Sequence, residues 1–361
     1  MIRRWAIVVL WLACIPLARA EPYIAVNQGL KCISCHTSAT GGGKRNAYGN
    51  VFAQTQLPAR TLRAEGKTGF WTGEVFKYLA VGGDLRGGWN RIDVPEEPQT
   101  SQTELNSFLG YIEIKAIPNY LTLYIDAKLA PGDVEIREQY VRLSISNGKF
   151  YIKGGEFFLP YGLRLQDDSA FIRQVPGINF NTPDTGFELG WEQGHWSAQF
   201  AVTRGAAENL QADNGRQYSL LINHVRSRWR VGGSLNFNDT DVGDRQMQNM
   251  FAGVKTGRVA WLAEIDYIID DGSPTGRRKS WATLLEANTA LKKGHNLKLG
   301  YEHFDPDTEV PEDQQNRYSI VWEYSPIQFL QARAGYRRYS GIPQNATQNR
   351  EQYFLELHIA F

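Results

Sequence analysis

The sequence predicts an all-β fold: a transmembrane outer-membrane β-barrel of about 16 antiparallel strands, preceded by a small N-terminal helical segment. Three observations predict it. From about residue 73 onward the apolar period is two, as in strands with one apolar and one polar face. The connections sort by parity into tight turns and long polar loops, which is the asymmetry of outer-membrane barrels. The chain also combines 35 glycines with 10 Trp, 17 Tyr and 17 Phe at a mean hydropathy of −0.41. No window after the first twenty residues approaches a spanning helix.

Residues 1–20 have the layout of a cleaved secretory signal peptide. Arg3 and Arg4 form a basic start, Trp5 to Leu17 an apolar run, and Ala18-Arg19-Ala20 a cleavage site before Glu21. The run is too short to cross a bilayer. In the rival reading Cys14 is a lipidated cysteine, but Trp11 fits that motif poorly. Cleavage leaves 36 basic against 38 acidic residues, a formal charge of −2. That balance makes no field for nucleic acid. It also leaves Cys32 and Cys35 as the only cysteines, too few for a disulfide scaffold in an exported protein.

Residues 21–70 form the helical segment, organised on Gly29-Leu30-Lys31-Cys32-Ile33-Ser34-Cys35-His36. Two cysteines separated by two residues and followed by histidine are the attachment pattern of a c-type haem. On one helical turn both thiols reach the vinyl groups of the porphyrin, and the adjacent imidazole lies under the iron. A zinc half-site would need further ligands, and residues 37 to 194 contain neither Cys nor His. A Cys32–Cys35 disulfide would leave His36 without a role. The expected cofactor is therefore one covalent haem c on Cys32 and Cys35, with His36 as an axial ligand to iron. Thr40 to Lys44 reads as a flexible turn, Arg45 to Ala53 as a short second helix, and Pro58 to Gly69 as a linker. About fifty residues cannot bury a core alone. A 16-stranded barrel encloses a channel wide enough to hold them, so the segment is expected to plug the lumen.

Residues 71–361 form the barrel. Phe187, Leu189 and Trp191 alternate with Glu188, Gly190 and Glu192, and Trp196, Ala198, Phe200 and Val202 with Ser197, Gln199, Ala201 and Thr203. Val259, Trp261, Ala263, Ile265 and Tyr267 oppose Glu264 and Asp266, and Tyr318, Ile320, Trp322 and Tyr324 oppose Ser319 and Glu323. Tyr353, Leu355, Leu357, Ile359 and Phe361 oppose Gln352, Glu356 and His358. Tight turns fall at Pro118-Asn119, Asn147-Gly148, Gln193-Gly194, Ser227-Arg228, Thr256-Gly257, Lys293-Gly294 and Ser325-Pro326, with the residue types such turns favour. Longer segments between them, Pro160 to Pro183 among them, are expected to be external loops. Pro131-Gly132-Asp133 is the one tight exception on that side. A soluble sandwich would also alternate, but its connections need not sort by parity.

A CxxCH segment running directly into an outer-membrane barrel resembles the fused monohaem cytochrome c–porins, of which the iron-oxidising outer-membrane cytochromes are the best known. The stretches that carry the resemblance are Gln28 to His36 and Asn46-Ala47-Tyr48-Gly49-Asn50-Val51-Phe52, similar to the helix that follows haem in that family. Gly155-Glu156-Phe157-Phe158-Leu159-Pro160-Tyr161-Gly162-Leu163 is similar to a strand-to-loop element of related barrels. The resemblance implies electron transfer across the outer membrane. It leaves the electron donor open, and no loop matches a ferrous-iron site.

The sixth position of the iron is open too, since the segment has no Met and no second His. Candidates in the barrel are His195, His224, His295, His303, His358, Met247 and Met250. By alternation His358 faces the lumen near the turn-side rim, which makes it the first distal candidate. Glu264, Asp266, Glu286, Glu323, Arg333, Arg337 and Glu356 also fall on inward parity, as paired pore lining or as a relay for cations.

The leading function is electron transfer through one haem, with periplasmic c-type cytochromes inside and an extracellular redox partner, Fe(II) or another, outside. In that reading the chain is an electron-transfer protein, Fe(II)-oxidising if ferrous iron is the donor. The alternative is a diffusion or uptake porin whose haem segment is a structural plug or redox sensor. Either places the chain in lipid of a Gram-negative outer membrane.

Overall fold

A computed structural model describes residues 21–62, 69–178, 182–205, 215–240, 243–272 and 276–361. The signal peptide therefore lies outside the described residues, as does part of the linker. Seventeen strands are described. They are β1 (Glu74–Phe76), β2 (Leu79–Asp93), β3 (Thr100–Ile117), β4 (Leu121–Ala130), β5 (Glu135–Ile145) and β6 (Phe150–Phe158). Then follow β7 (Pro183–Gln193), β8 (Trp196–Thr203), β9 (Arg216–Val225), β10 (Trp229–Asp239), β11 (Arg245–Thr256) and β12 (Val259–Asp270). The last are β13 (Arg278–Lys292), β14 (His295–Asp305), β15 (Gln315–Tyr324), β16 (Leu330–Ser340) and β17 (Glu351–Ala360). Each strand from β2 to β17 pairs antiparallel with the next, and β17 pairs with β2 through His358 opposite Arg86. The result is a closed 16-stranded barrel, which satisfies every wall strand on both sides and leaves no edge. The short β1 only adds to the start of β2.

The seven tight turns and the short Pro131 connection lie where the sequence places them. Alternation holds in three dimensions as well. On β11, outward Met250 is 67% exposed while inward Met247 is 2% exposed. Phe187, Leu189, Trp261, Ile265, Ile320 and Leu355 face outward, whereas Glu188, Glu264, Asp266 and Glu323 are buried inside. An uncharged apolar outer face on a closed barrel is a lipid-facing surface.

The lumen is filled from both ends. From the turn side comes α1 (Pro22–Gln28), followed by a 3-10 turn (Cys32–Ser34) and α2 (Ala47–Thr55), slightly later than the helix read from the sequence. From the other side comes the long connection between β6 and β7, which includes the single-turn α3 (Phe171–Gln174). This corrects the expectation that Pro160 to Pro183 forms an external loop. Its apolar residues Leu159, Tyr161, Leu163 and Leu165 recur at every second position, and all are buried. A wide barrel offers them cover that solvent does not. Glu264 accepts a hydrogen bond from Leu163 N–H at 2.8 Å, and Tyr161 Oη donates to Asp266 at 3.0 Å. Asp167 pairs with Arg317 and Arg337 at 3.0 and 2.7 Å.

Segment and loop meet in the middle. Tyr23 and Val26 of α1 share one apolar cluster with Leu163, Leu165, Phe171, Ile172 and the wall residues Leu262 and Leu284. Burying side chains of this size contributes roughly 1.5–3 kcal/mol each. Phe361, read as the end of a lipid-facing row, instead packs with Ala53, Leu57, Trp71 and Phe329. It therefore helps hold α2 at the turn-side rim.

Candidate cofactor site in the lumen

The site is built on the short 3-10 turn. Cys35 and His36 N–H both donate to the Cys32 carbonyl, at 3.1 and 3.0 Å, which brings the two thiols and the imidazole onto one side of a single turn. Gly29 closes α1 just before it, in the left-handed region at φ 63°. A Cβ there would lie 2.6 Å from Ser227 Cα, so α1 sits directly on the β9–β10 turn. Asn46 then ties the turn to α2. Its side chain accepts from Gly49 N–H at 2.9 Å as the helix cap, and its amide donates to the Ile33 and Ser34 carbonyls at 3.0 and 3.2 Å. A Cβ on Gly49 would fall 2.1 Å from the Cys35 carbonyl oxygen, so only glycine lets α2 approach this closely.

Wall contacts hold the segment on all sides. Lys44 pairs with Glu113 at 2.8 Å, Lys31 with Glu192 at 2.6 Å, and Lys298 with Glu21 at 3.2 Å. Tyr23 Oη donates to Glu323 at 2.9 Å, and Lys255 donates to the Asn27 carbonyl at 2.9 Å.

Cys32 and Cys35 are both free thiols, so the disulfide reading is not what the fold adopts. Burial raises the Cys35 pKa to about 11 against the opposing effect of Arg45. His36 is buried, and its Nδ1 has no hydrogen-bond partner among the described residues. Burial, and then the neighbouring Arg45 charge, lowers its pKa to about 3, so the ring stays neutral. Among the described residues no three of His, Cys, Asp and Glu gather as a metal-ion site, which leaves the zinc reading without ligands. Two free thiols, a neutral imidazole and an open space beside them fit the donor set of a c-type haem.

That space is a cavity of about 530 Å³ lined by Cys32, Cys35 and His36, within the range of ligand pockets. It extends along the β17–β2–β3 wall as far as Asn90, Glu104 and Gln352, close to the loop-side ends of those strands. Of the histidines and methionines weighed as distal candidates, His358 alone lines it. His358 Nε2 lies 2.7 Å from Asp84 Oδ2 and Nδ1 lies 3.0 Å from Gln166 Nε2, so binding iron would require it to release one partner. His195 and His224 sit together at the turn-side rim beside Trp196. His295 stacks on Tyr324, and His303 contacts Asn316. Met247 packs among Tyr161, Ile178 and Ile268, while Met250 faces outward.

The inward charges are paired lining. Glu286 meets Lys298, Glu323 and Glu356 meet Arg333, and Arg337 meets Asp167. Asn249 donates to both Glu264 and Asp266, at 2.6 and 2.8 Å. Among the described residues Glu264 and Asp266 are held by Asn249, Tyr161 and the Leu163 N–H, whereas the other carboxylates of this set meet a cation. Sequence reasoning passed over Asp84, Arg86, Gln166 and Arg230, which also line the cavity. Inward parity on β2 and β10 could have suggested three of them. Gln166, on an irregular loop, gave no signal.

No family model and no curated protein matches the chain. Among solved structures it is similar to OmpT, an outer membrane protein of Vibrio cholerae, at TM-score 0.63 and 10% identity over 78% of this chain and 99% of that one. It is likewise similar to an anion-selective porin from Comamonas acidovorans, at TM-score 0.61 and 10% identity over 78% and 99%. A third is OprB of Pseudomonas putida, at TM-score 0.58 and 8% identity over 79% and 94%. The fold is thus the porin-like barrel of Gram-negative outer membranes.

Proposed function

We propose that this chain carries electrons across the outer membrane through one c-type haem, bound covalently by Cys32 and Cys35 and ligated by His36 inside the barrel. The observation that carries the reading is the position of the CxxCH turn. It faces a cavity that runs within the wall from the turn-side half toward the loop-side mouth. The apolar band of a barrel is about 25 Å tall. A single redox centre held below it would be too far from an external partner, whereas one held in the lumen divides that distance.

When bound, the haem supplies one-electron cycling of its iron at a potential set by ligands and surroundings. The chain's own residues do the rest. Cys32 and Cys35 fix the group to a single turn, and Asn46 and Gly49 fix that turn against α2. His36, kept neutral by burial, holds its lone pair free for the metal. Asp84 and Gln166 hold His358 on the facing wall as the distal candidate. The inner partners in this reading are periplasmic c-type cytochromes, and the outer partner is a small extracellular redox species, ferrous iron among them. The alternative, a diffusion or uptake porin with the segment as a structural plug or redox sensor, is supported by the porin-like fold, and in it the ion pairs that tie residues 21–62 and Asp167 to the wall hold the plug in place.

The test is a haem stain of the denatured, electrophoresed protein. Wild type is expected to stain, and Cys32→Ala/Cys35→Ala is expected not to. An unstained wild type, or a stained double variant, would reject covalent attachment.

A further inference from the structure

Among the described residues, Arg230 is a buried cation of the cavity wall with no carboxylate at ion-pair distance. Arg86 pairs with Asp84, Arg333 with Glu356 and Arg337 with Asp167. Arg230 differs. It is 5% exposed and lines the same cavity as Cys32 and His36. Its Nε and Nη1 are buried without a partner, and Nη2 makes only a long 3.4 Å contact to Asn223 Oδ1. The guanidinium lies over the Phe251 ring, 5.4 Å from its centroid, and no carboxylate pairs with it among the described residues. A buried guanidinium with unused donors is costly unless something supplies an anion.

Place narrows the choice of anion. Arg230 is the second residue of β10, next to the turn on which Gly29 rests, and so is level with the N-terminal segment. In the ring of sixteen strands β10 stands eight places from β2, opposite the wall that carries Asp84, Arg86 and His358. Cys32 and Cys35 line the same cavity as Arg230 on one wall and Asp84, Arg86 and His358 on the other. A guanidinium fork matches a carboxylate in two parallel hydrogen bonds.

We infer that Arg230 anchors a carboxylate of the group attached at Cys32 and Cys35, a haem propionate. This rests on the haem reading above and adds the residue that fixes the orientation of the group in the lumen. Reduction adds an electron, which a nearby cation favours, so Arg230 also raises the potential.

The test compares Arg230→Gln and Arg230→Lys with wild type, all haem-loaded and checked for folding by heat-modifiable mobility. Arg230→Gln is expected to lower the midpoint potential, and also the thermal midpoint. The thermal loss is expected to vanish in the Cys32→Ala/Cys35→Ala background, where removing an unmatched charge costs nothing. Arg230→Lys is expected to recover part of both effects. An unmoved potential with normal haem stain overturns the proposal, and so does an equal thermal loss in both backgrounds. Succinate that stabilises haem-loaded wild type but not haem-loaded Arg230→Gln would mean that a free carboxylate occupies the site, which also overturns it. An unstained wild type rejects the haem reading itself, and is told apart from failure at Arg230 alone, where staining stays normal.

Discussion

At the scale of single residues the site divides into positions fixed by a chemical rule and positions fixed by the fold. Cys32, Cys35 and His36 belong to the first group, because the CxxCH spacing is local to one stretch of chain, and the fold sets all three on one cavity. The motif was legible in the sequence, and the haem it would carry is the proposal that the stain tests. His358 was half legible: strand parity gave its direction but not its partners, Asp84 on β2 and Gln166 on the loop, 274 and 192 residues away. Arg230 was not legible as a site residue, since its importance lies in a missing partner. His358→Ala tests the distal candidate. It is expected to leave haem staining at wild-type intensity while moving the visible absorption bands of both oxidation states. Unchanged spectra would remove His358 from the iron and leave it as a wall residue that holds Gln166.

At the scale of elements the β6–β7 connection carries the main surprise. Its length suggested an external loop, yet its apolar residues at every second position describe an inward strap. The period was visible in the sequence, but without an enclosed lumen it had nothing to pack on. Asp167 is a central anchor of this strap. Burial opposes its ionisation, but Arg317 and Arg337 outweigh burial and hold its pKa below the usual carboxylate range. A depressed carboxylate adds stability that is complete above its unfolded pKa of about 3.9 and fades as pH falls toward the folded value. Asp167→Asn is therefore expected to destabilise the detergent-solubilised barrel at pH 7 by about 1.5–3 kcal/mol, the value of a charged hydrogen bond. The gap to wild type should narrow below about pH 4, as read from heat-modifiable mobility across a pH series. A gap that widened in acid would contradict the assigned pairing.

At the scale of the whole molecule the barrel was legible almost strand by strand, because parity of turns and period of side chains are repeated sixteen times and errors do not accumulate. How the lumen is filled was much less legible, since it depends on contacts between distant parts of the chain. Ala263, outward and near the middle of β12, tests the lipid face. Ala263→Arg is expected to cost about 2–4 kcal/mol if that position lies near the bilayer midplane, measured by unfolding in lipid vesicles. A neutral effect would mean that this face does not meet lipid. The seating of the N-terminal segment also implies an order of events. Residues 21–62 touch β3 through Glu113, β7 through Glu192, β14 through Lys298 and β17 through the Ala360 carbonyl. These surfaces exist together only once the β17–β2 seam has closed. Residues 21–62 therefore reach their place after the wall has closed, and a group bound by Cys32 and Cys35 would have to be attached before the segment enters.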